Sequence, residues 1–400
     1  MLRVLTLSTL FPAATMPNFG IFVERQALAL AKRDDVELRV VAPRGLPPWP
    51  LSRHSRYRPL VDLPERESWK GLEVYRPAFL NIPGSGGRHH AAMLVRALEP
   101  LLCRIRDDFP FDLLAAEFFF PDGPAAAELG RRLGVPVSIT ARGSDIHYWT
   151  AQAAVRPQIV AAGQSAARLV AVSDALRDDM AALGMPRDRI DSIMTGIDLD
   201  RFNPRIRFSA LREYSHSGQL VASIGALIPL KGHEIVIRAV AALPGVKLWI
   251  LGDGPERAAL GVLIASLGVA DRIKLWGPVS AEEVAMVAAL ADVMALASER
   301  EGMANAWVEA LASGTPIVIP DVGGARQLLE GKPQAGTIAA RTPEAFTRAI
   351  TALLAAPPDR AAVRATVDGF GWEANAAALV SHYRSAIDAS AGMANLHKFA

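Results

Sequence analysis

The chain has 400 residues, a formal net charge of +2 and a single cysteine, Cys103. That length suits two cores better than one, and the near-neutral charge argues against a dedicated nucleic-acid binder. One cysteine excludes an intramolecular disulfide and a cysteine-built metal site, and it fits a reducing compartment.

The first stretch, "MLRVLTLSTLFPAA", has one arginine before an apolar run, the outline of a secretion leader. Val4, Leu5, Leu7 and Leu10 nevertheless suit a short buried strand that Pro12 ends, and "FGIFVERQALALAKR" follows with helical spacing. Strand, loop, helix is the expectation. "ELRVVAP", "DLLAAEFF", "PVSITAR", "ARLVAVS" and "RIDSIMTG" are further strand candidates, with helices over Val23–Lys32, Pro124–Leu133 and Asp174–Leu183. Buried continuous strands alternating with helices predict a parallel sheet covered on both faces.

Residues 44–90 break the pattern. Arg44, Arg53, Arg56, Arg58, Arg66, Lys70, Arg76 and Arg88 stand there against Asp62, Glu65, Glu67 and Glu73, with Trp49, Tyr57 and Trp69 between them. A solvated irregular insertion is the plain expectation. The sharper alternative is a mobile basic, aromatic rim facing an anionic acceptor or a membrane surface.

After "RFNPRIRFSALREYSHSG" the alternation restarts with "LVASIGAL", "VKLWILG", "IKLWGP", "DVMALAS" and "PIVIPD", separated by helices such as His233–Leu243 and Pro255–Leu267. The expected fold class is therefore α/β, with two doubly wound, Rossmann-like domains of similar size facing across a cleft. The boundary falls near Pro204 to Gly218: 1–206 with a returning C-terminal helix over 372–400, and 207–371. Such sheets bind ligands beyond the carboxyl ends of their strands. No apolar run approaches the ~20 residues of a spanning helix; the nearest, Val284 to Ala297, is broken by Asp292.

Chemistry concentrates in "EREGMANAWVEALASGTPIVIPDVGG". A strand ends near Ser298, and helix propensity rises from Asn305, so "EGMAN" precedes a helix N-terminus, where amides and the dipole favour anionic oxygen. Glu301 lies before the helix and Glu309 in its first turns. Eight helical residues span about 12 Å, comparable with the reach from a sugar across a diphosphate to a ribose. Lys231, in the strand–loop–helix run "SIGALIPLKGHE", suits a diphosphate counter-charge. Gly225, Gly252 and Gly254 permit close approach of backbone. The backbone at Val279, in "KLWGPVSAEEV", is placed to read a base edge. Each of these has a bland reading as surface charge or turn chemistry, and their convergence is what favours a site.

These segments, "GALIPLKG", "ILGDGPE", "LWGPVS" and the long glutamate-containing block, resemble the retaining nucleotide-sugar glycosyltransferases of family 4, which have the GT-B architecture of two Rossmann-like domains. The first half, through "PNFGIFVERQ", "FPDGPAAAELGRRLGVPVSITARGSD", "AVSDALRDDM" and "TGIDLDRFNP", is similar to the acceptor-side domain of bacterial polysaccharide and teichuronic-acid-type members. The resemblance implies that Glu301 lies against the donor sugar, Glu309 holds the ribose and Lys231 neutralises the leaving diphosphate. Gly302, Met303, Ala304 and Asn305 then supply backbone contacts. Gly20 and Arg142 join Gly225, Gly252, Gly254 and Val279 in the donor-binding set, while Asn18, Phe19, Arg142 and Asp145 stand on the acceptor side. Departures are Ala226 where many members have arginine, Arg142 for histidine, Gln327 for glutamate and Thr195 for asparagine. Arg142 is a candidate for the missing diphosphate charge.

The resulting expectation is a cytoplasmic enzyme, at the inner face of the membrane in its peripheral form. It moves a sugar from a nucleoside-diphosphate donor, UDP-linked by resemblance, to a glycan or lipid-linked acceptor in cell-surface polysaccharide synthesis. No separate cofactor and no metal are expected. Asp198-Leu-Asp200 reads as turn chemistry, and the His89–His90 pair lacks ligand spacing. A sugar-nucleotide epimerase and a catalytically silent sugar-nucleotide-binding subunit are the alternatives. Base, sugar, acceptor and oligomeric state stay open.

Overall fold

The structure is a computed structural model that describes residues 1–214 and 216–396. The chain divides into two compact units: Met1–Gly196 with the segment from Trp372 onward, and Ile197–Gly371.

In the first unit, strands β1 (Leu2–Leu7), β2 (Val36–Val41), β3 (Arg44–Leu46), β4 (Arg66–Trp69), β5 (Leu72–Tyr75), β6 (Ala78–Leu80), β7 (Leu113–Ala116), β8 (Val137–Ala141), β9 (Arg168–Ala171) and β10 (Ile190–Ser192) follow in chain order. Eight of them form one sheet in the order β10-β9-β8-β7-β1-β2-β5-β4, and β3 pairs with β6 separately. All neighbours in the large sheet are parallel except β4, which runs antiparallel to β5. The central strands are apolar because helices cover both faces: Val4, Leu5, Leu113, Leu114 and Ile139 are fully buried. The last described helix, Trp372–Leu396, places Ala376, Leu379, Val380 and Tyr383 in the same core as Val23, Ala27 and Leu30 of helix Ile21–Ala31.

The stretch 44–90 is not the irregular insertion expected of it. Leu72 and Val74 are buried on β5, which extends the main sheet beside β2 in the register Arg39↔Glu73 to Val41↔Tyr75. Part of its positive charge is spent internally, while Arg53, Arg56, Arg58 and Arg88 stay exposed. Arg76, only 2% exposed, binds Glu67 and donates to the Pro12 carbonyl at 2.6 Å. Arg44 donates to the Leu60, Val61 and Leu63 carbonyls at 2.7–2.9 Å. Arg66 pairs with Glu73, which Arg39 also meets at 3.0 Å. A count of basic residues could not foresee this, because Arg44 and Arg76 find backbone carbonyls as partners.

In the second unit, β11 (Leu220–Ile224), β12 (Lys247–Leu251), β13 (Ile273–Gly277), β14 (Val293–Ala295), β15 (Ile317–Ile319) and β16 (Gly336–Ile338) form a parallel sheet ordered β13-β12-β11-β14-β15-β16. The edge strand β16 carries no buried run and was not foreseen. Strand order reverses between β11 and β14, so the loops leaving those two strands open the crevice where doubly wound sheets bind ligands.

The second unit begins at Ile197, earlier than the expected boundary at 206/207. The reason is a set of ties: the Ile197 amide donates to the Phe370 carbonyl at 2.9 Å, and Arg364 reaches the Phe202 and Ala312 carbonyls at 2.7 and 3.0 Å. The tail of the expected returning helix, 397–400, lies outside the described residues.

Candidate functional site

The loops after β11 and β14 are tied together at the switch point of the second sheet. Glu299 donates its amide to the Leu230 carbonyl at 2.8 Å. Lys231 Nζ forms an ion pair with Glu301 Oε1, and Ser298 Oγ donates to the same oxygen at 2.7 Å. The side chains are 20% and 12% exposed respectively, so the pair is only thinly reached by solvent and its Coulomb term is correspondingly less screened. Lys231 and Glu301 are 70 residues apart, and the resemblance alone put them at one site. Ser298 was missed; its signal was a hydroxyl at the end of a buried strand.

Gly302, Met303 and Ala304 are buried, and Asn305 begins the helix Asn305–Ala312. Ala304 occupies the N-cap and provides no side-chain acceptor there, leaving the amide end uncapped by the protein's own side chain. Only the residues from Asn305 onward are helical, so the estimate of eight helical residues between Glu301 and Glu309 overstates the helical part of their separation. Glu309 is half-buried, and its carbonyl accepts from Ser313 Oγ at 2.9 Å while Trp307, Val308 and Leu311 bury the opposite face.

The glycines separate into two kinds. A Cβ on Gly252 would stand 2.0 Å from the Gly225 carbonyl oxygen, and one on Gly254 would stand 2.4 Å from that of Leu227. Both are therefore required where the two loops pack on each other, joined by Leu227 N to Asp253 O and Glu256 N to Leu227 O, each 3.0 Å. At Gly225 a Cβ would meet nothing closer than 3.7 Å. Close packing of loops explains the first two without a ligand, while a Cβ at Gly225 would rest in ordinary contact with the Lys231 and His233 side chains. Val279 is half-buried just ahead of the helix Ala281–Leu290, which Ser280 and Glu283 start with a reciprocal cap.

Two residues not foreseen brace this region. His233 is fully buried, its Nδ1 3.0 Å from Ser223 Oγ and its Nε2 3.2 Å from the Ala226 carbonyl. Burial lowers its pKa to about 4, against the opposing pull of hydrogen bonds to the backbone. Arg341 Nε donates to the Ala297 carbonyl at 2.9 Å and its terminal nitrogen to that of Pro229 at 3.5 Å, at the roots of the loops carrying Glu301 and Lys231.

Gly20, Asn18, Phe19, Arg142 and Asp145 belong to the first unit. Gly20 adopts φ +69°, with a Cβ position 2.4 Å from Leu10 backbone, so packing demands glycine there. Asn18 and Phe19 are exposed. Arg142 donates to Gln26 Oε1 at 2.9 Å, Glu117 Oε2 at 2.8 Å and Thr195 Oγ1 at 3.0 Å, and Tyr383 donates to the other Glu117 oxygen at 3.1 Å. Its guanidinium, 8% exposed, is committed to that buried network and does not stand ready as a diphosphate counter-charge. Asp145 is wholly buried and accepts from the amides of Phe119, Arg142 and Gly143 at 2.7–2.9 Å, so it shapes a loop and presents no acceptor-binding oxygen. Asp198 accepts from the Arg201 amide at 3.0 Å in a turn. Among the described residues, no group of three or more His, Cys, Asp or Glu is arranged to hold a metal ion.

Comparison with known proteins follows this division. Residues 20–201 match the family model described as Glycosyltransferase Family 4, and residues 212–367 match Glycosyl transferases group 1. TuaC of Bacillus subtilis (strain 168), named as a teichuronic acid biosynthesis glycosyltransferase, is 29% identical over 363 residues, 88% of each chain. The D-inositol 3-phosphate glycosyltransferase of Mycobacteroides abscessus is 36% identical over 210 residues, 50% of this chain and 47% of that protein, so the match spans about half of that relative's length. Sucrose-phosphate synthase from Thermosynechococcus elongatus superimposes with a TM-score of 0.76 at 19% identity, covering 97% of this chain and 100% of that one. Anabaena HepE, solved in complex with UDP, gives 0.66 at 18% identity with all of both chains covered. The chain belongs to the family 4-type glycosyltransferases of GT-B fold.

Proposed function

We propose that the chain is a retaining glycosyltransferase that moves a hexosyl group from a UDP-linked sugar to a hydroxyl of a glycan or lipid-linked acceptor in cell-surface polysaccharide synthesis. The observation that carries this reading is the Lys231–Glu301 pair at the switch point, with Lys231 alongside Gly225 and Glu301 ahead of the amide end of helix Asn305–Ala312. HepE is a structural relative solved with UDP and with UDP-glucose, and TuaC is named for teichuronic acid synthesis; both support the substrate class.

In this reading the bond between the anomeric carbon and the diphosphate oxygen breaks as the acceptor oxygen bonds to the same face. The acceptor proton passes to a departing phosphate oxygen, so no side-chain nucleophile is needed. Lys231 and the amides of 303–305 stabilise the charge on the leaving diphosphate, the preorganised electrostatics that usually supplies the largest catalytic term. Glu301 takes the sugar hydroxyls and Glu309 the ribose. Ala226 leaves Lys231 as the principal side-chain cation assigned to that charge. No metal is assigned a part. Among the described residues no helix is long and apolar enough to cross a membrane, so the proposed place at the inner membrane face is peripheral. The epimerase alternative gains nothing from these relatives and is not carried forward.

The test is a thermal-shift series with UDP, GDP, ADP and their glucose conjugates, followed by donor-hydrolysis assays. Ligand at a hundred times its Kd stabilises by about 2.7 kcal/mol. UDP and UDP-glucose are expected to raise Tm, with hydrolysis above background. A panel in which no nucleotide shifts Tm would sink the proposal; binding without hydrolysis or transfer would select the silent-subunit alternative instead.

A further inference from the structure

The two sides of β12 differ: Leu248 and Ile250 are fully buried, while Lys247 and Trp249 are half-buried. Its edge neighbour β13 repeats the pattern, with Ile273 buried, Lys274 exposed and Trp276 half-buried. The register sets Trp249 opposite Lys274, on one face of the sheet. Strands of a covered parallel sheet are normally apolar on both faces, so two tryptophans and two lysines within reach of water single this face out. A Trp side chain carries about 150–250 Å² of surface that folding ordinarily removes from water. Lys247 and Ile273 begin their strands, so the lysine end of this face lies opposite to the carboxyl ends that carry Lys231 and Glu301.

A cavity of about 300 Å³ opens here, lined by Tyr214, His216, Lys247, Trp249, Asp271 and Lys274 among others. The Tyr214 and His216 rings stand edge-on to Trp249 at 5.5 and 5.3 Å, and the Trp276 ring is 5.0 Å from it. Such packing holds the aromatic wall in place before any ligand arrives. The polar groups are mixed in sign. Lys274 Nζ sits 3.6 Å from the Trp276 ring centre, Lys247 Nζ donates to the Ser217 carbonyl at 3.3 Å, and Asp271 is exposed. Arg272 is spent on the carbonyls of Val240, Ala241, Leu243 and Val246 at 2.7–3.0 Å. His216 has its pKa lowered, chiefly by burial, so it is neutral at pH 7 and adds no charge. A phosphate or nucleotide would set its charge against Asp271. A pyranose ring instead offers an apolar C–H face to the aromatic wall, and hydroxyls that both donate to a carboxylate and accept from lysines. A chamber at the small end of the ligand-site range takes a single ring.

We propose that this cavity is a second carbohydrate site, which holds one pyranose ring of a glycan chain away from the donor crevice. Taking that chain to be the enzyme's own acceptor or product rests on the glycosyltransferase reading; sugar binding at the cavity does not. The probe is cellohexaose, whose equatorial hydroxyls leave both ring faces apolar, titrated into the full chain and followed by ligand-observed NMR. Saturable binding is expected, and equimolar phenyl phosphate, an aromatic anion, should not displace it. Trp249→Leu keeps apolar volume but removes the flat ring, and Asp271→Lys removes the acceptor and adds a third cation; each should weaken binding at least tenfold. Melting curves with and without UDP report the fold and the donor crevice of every variant, and the exposed Asp271→Lys carries the test should Trp249→Leu not fold. Absence of saturable binding by the native chain, displacement by phenyl phosphate, or indifference to Asp271→Lys or to a folded Trp249→Leu overturns the proposal. Cellohexaose binding without any UDP response sinks the donor assignment alone, and a UDP response without cellohexaose binding sinks this one alone.

Discussion

The two units share an architecture but use the ends of their strands differently. In the first, the charged groups beyond β7 and β8 are buried and satisfy one another: Glu117 is shared by Arg142 and Tyr383, and Asp145 is spent on backbone amides. In the second, the comparable loops carry an ion pair in partial contact with solvent beside a helix start that no side chain caps. A buried, saturated network rigidifies, whereas a partly exposed pair can be re-partnered by an anionic ligand. The same fold thus carries a saturated network in one unit and exchangeable charge in the other.

The strongest test of this comparison is through the saturated network of the first unit. Arg142→Met leaves Glu117 buried without its cation, and breaking a buried pair from one side typically costs about 3–5 kcal/mol. Amide hydrogen exchange over β7 and β8 should accelerate accordingly, with β11 and β14 unchanged. Loss below 1 kcal/mol, or loss spread over both units, would show that the network is not what stiffens the first.

Acid and base should also pull the units in opposite directions. In the first, Asp122 is fully buried with Oδ1 unpartnered, and burial raises its pKa to about 7. The unfolded carboxyl ionises near its ordinary value while the folded one stays protonated. Stability is therefore fully present at low pH and declines as pH rises from about 4 to 7, by on the order of 4 kcal/mol. In the second, the lowered pKa of His233 means that the unfolded chain takes up a proton first. Stability present above pH 6.5 is lost as pH falls to about 4, by roughly 3 kcal/mol. Hydrogen exchange of each unit, corrected for intrinsic rates, should show Asp122→Asn flattening the first slope and His233→Asn the second. Variants that leave the slopes intact refute the assignments.

Kinetics sharpen the other half of the comparison. Losing a preorganised charge-stabilising group typically lowers turnover by about 10²–10³-fold, and that is expected for Lys231→Ala and Glu301→Ala. Glu309→Ala should act mainly on donor KM, by about tenfold, or roughly 1.4 kcal/mol. Steady-state rates with saturating and limiting UDP-sugar distinguish the two patterns; near-normal values in all three variants would remove the site.

Particular residues show where legibility stopped. The strands around Val4, Leu114, Ile139, Val221 and Ile250 are readable because continuous apolar runs have few other destinations than a covered parallel sheet. β5 was hidden by the charges around it, since Arg44 and Arg76 find carbonyl partners that no charge count registers. Gly252 and Gly254 were legible as special but not in their reason: the structure sets them against the Gly225 and Leu227 carbonyls. Arg142 looked available as a counter-charge, and only its three buried partners remove it.

Local composition and period thus determined the alternation of strands and helices, the two-part division and the loops able to carry phosphate chemistry, because burial and turn geometry act over a few neighbouring residues. Tertiary structure decided which charges face each other, as with Lys231 and Glu301 across 70 positions, and which are silenced in the interior. Electrostatic partnership depends on distance through space and on exclusion of water, and neither is written in the order of residues.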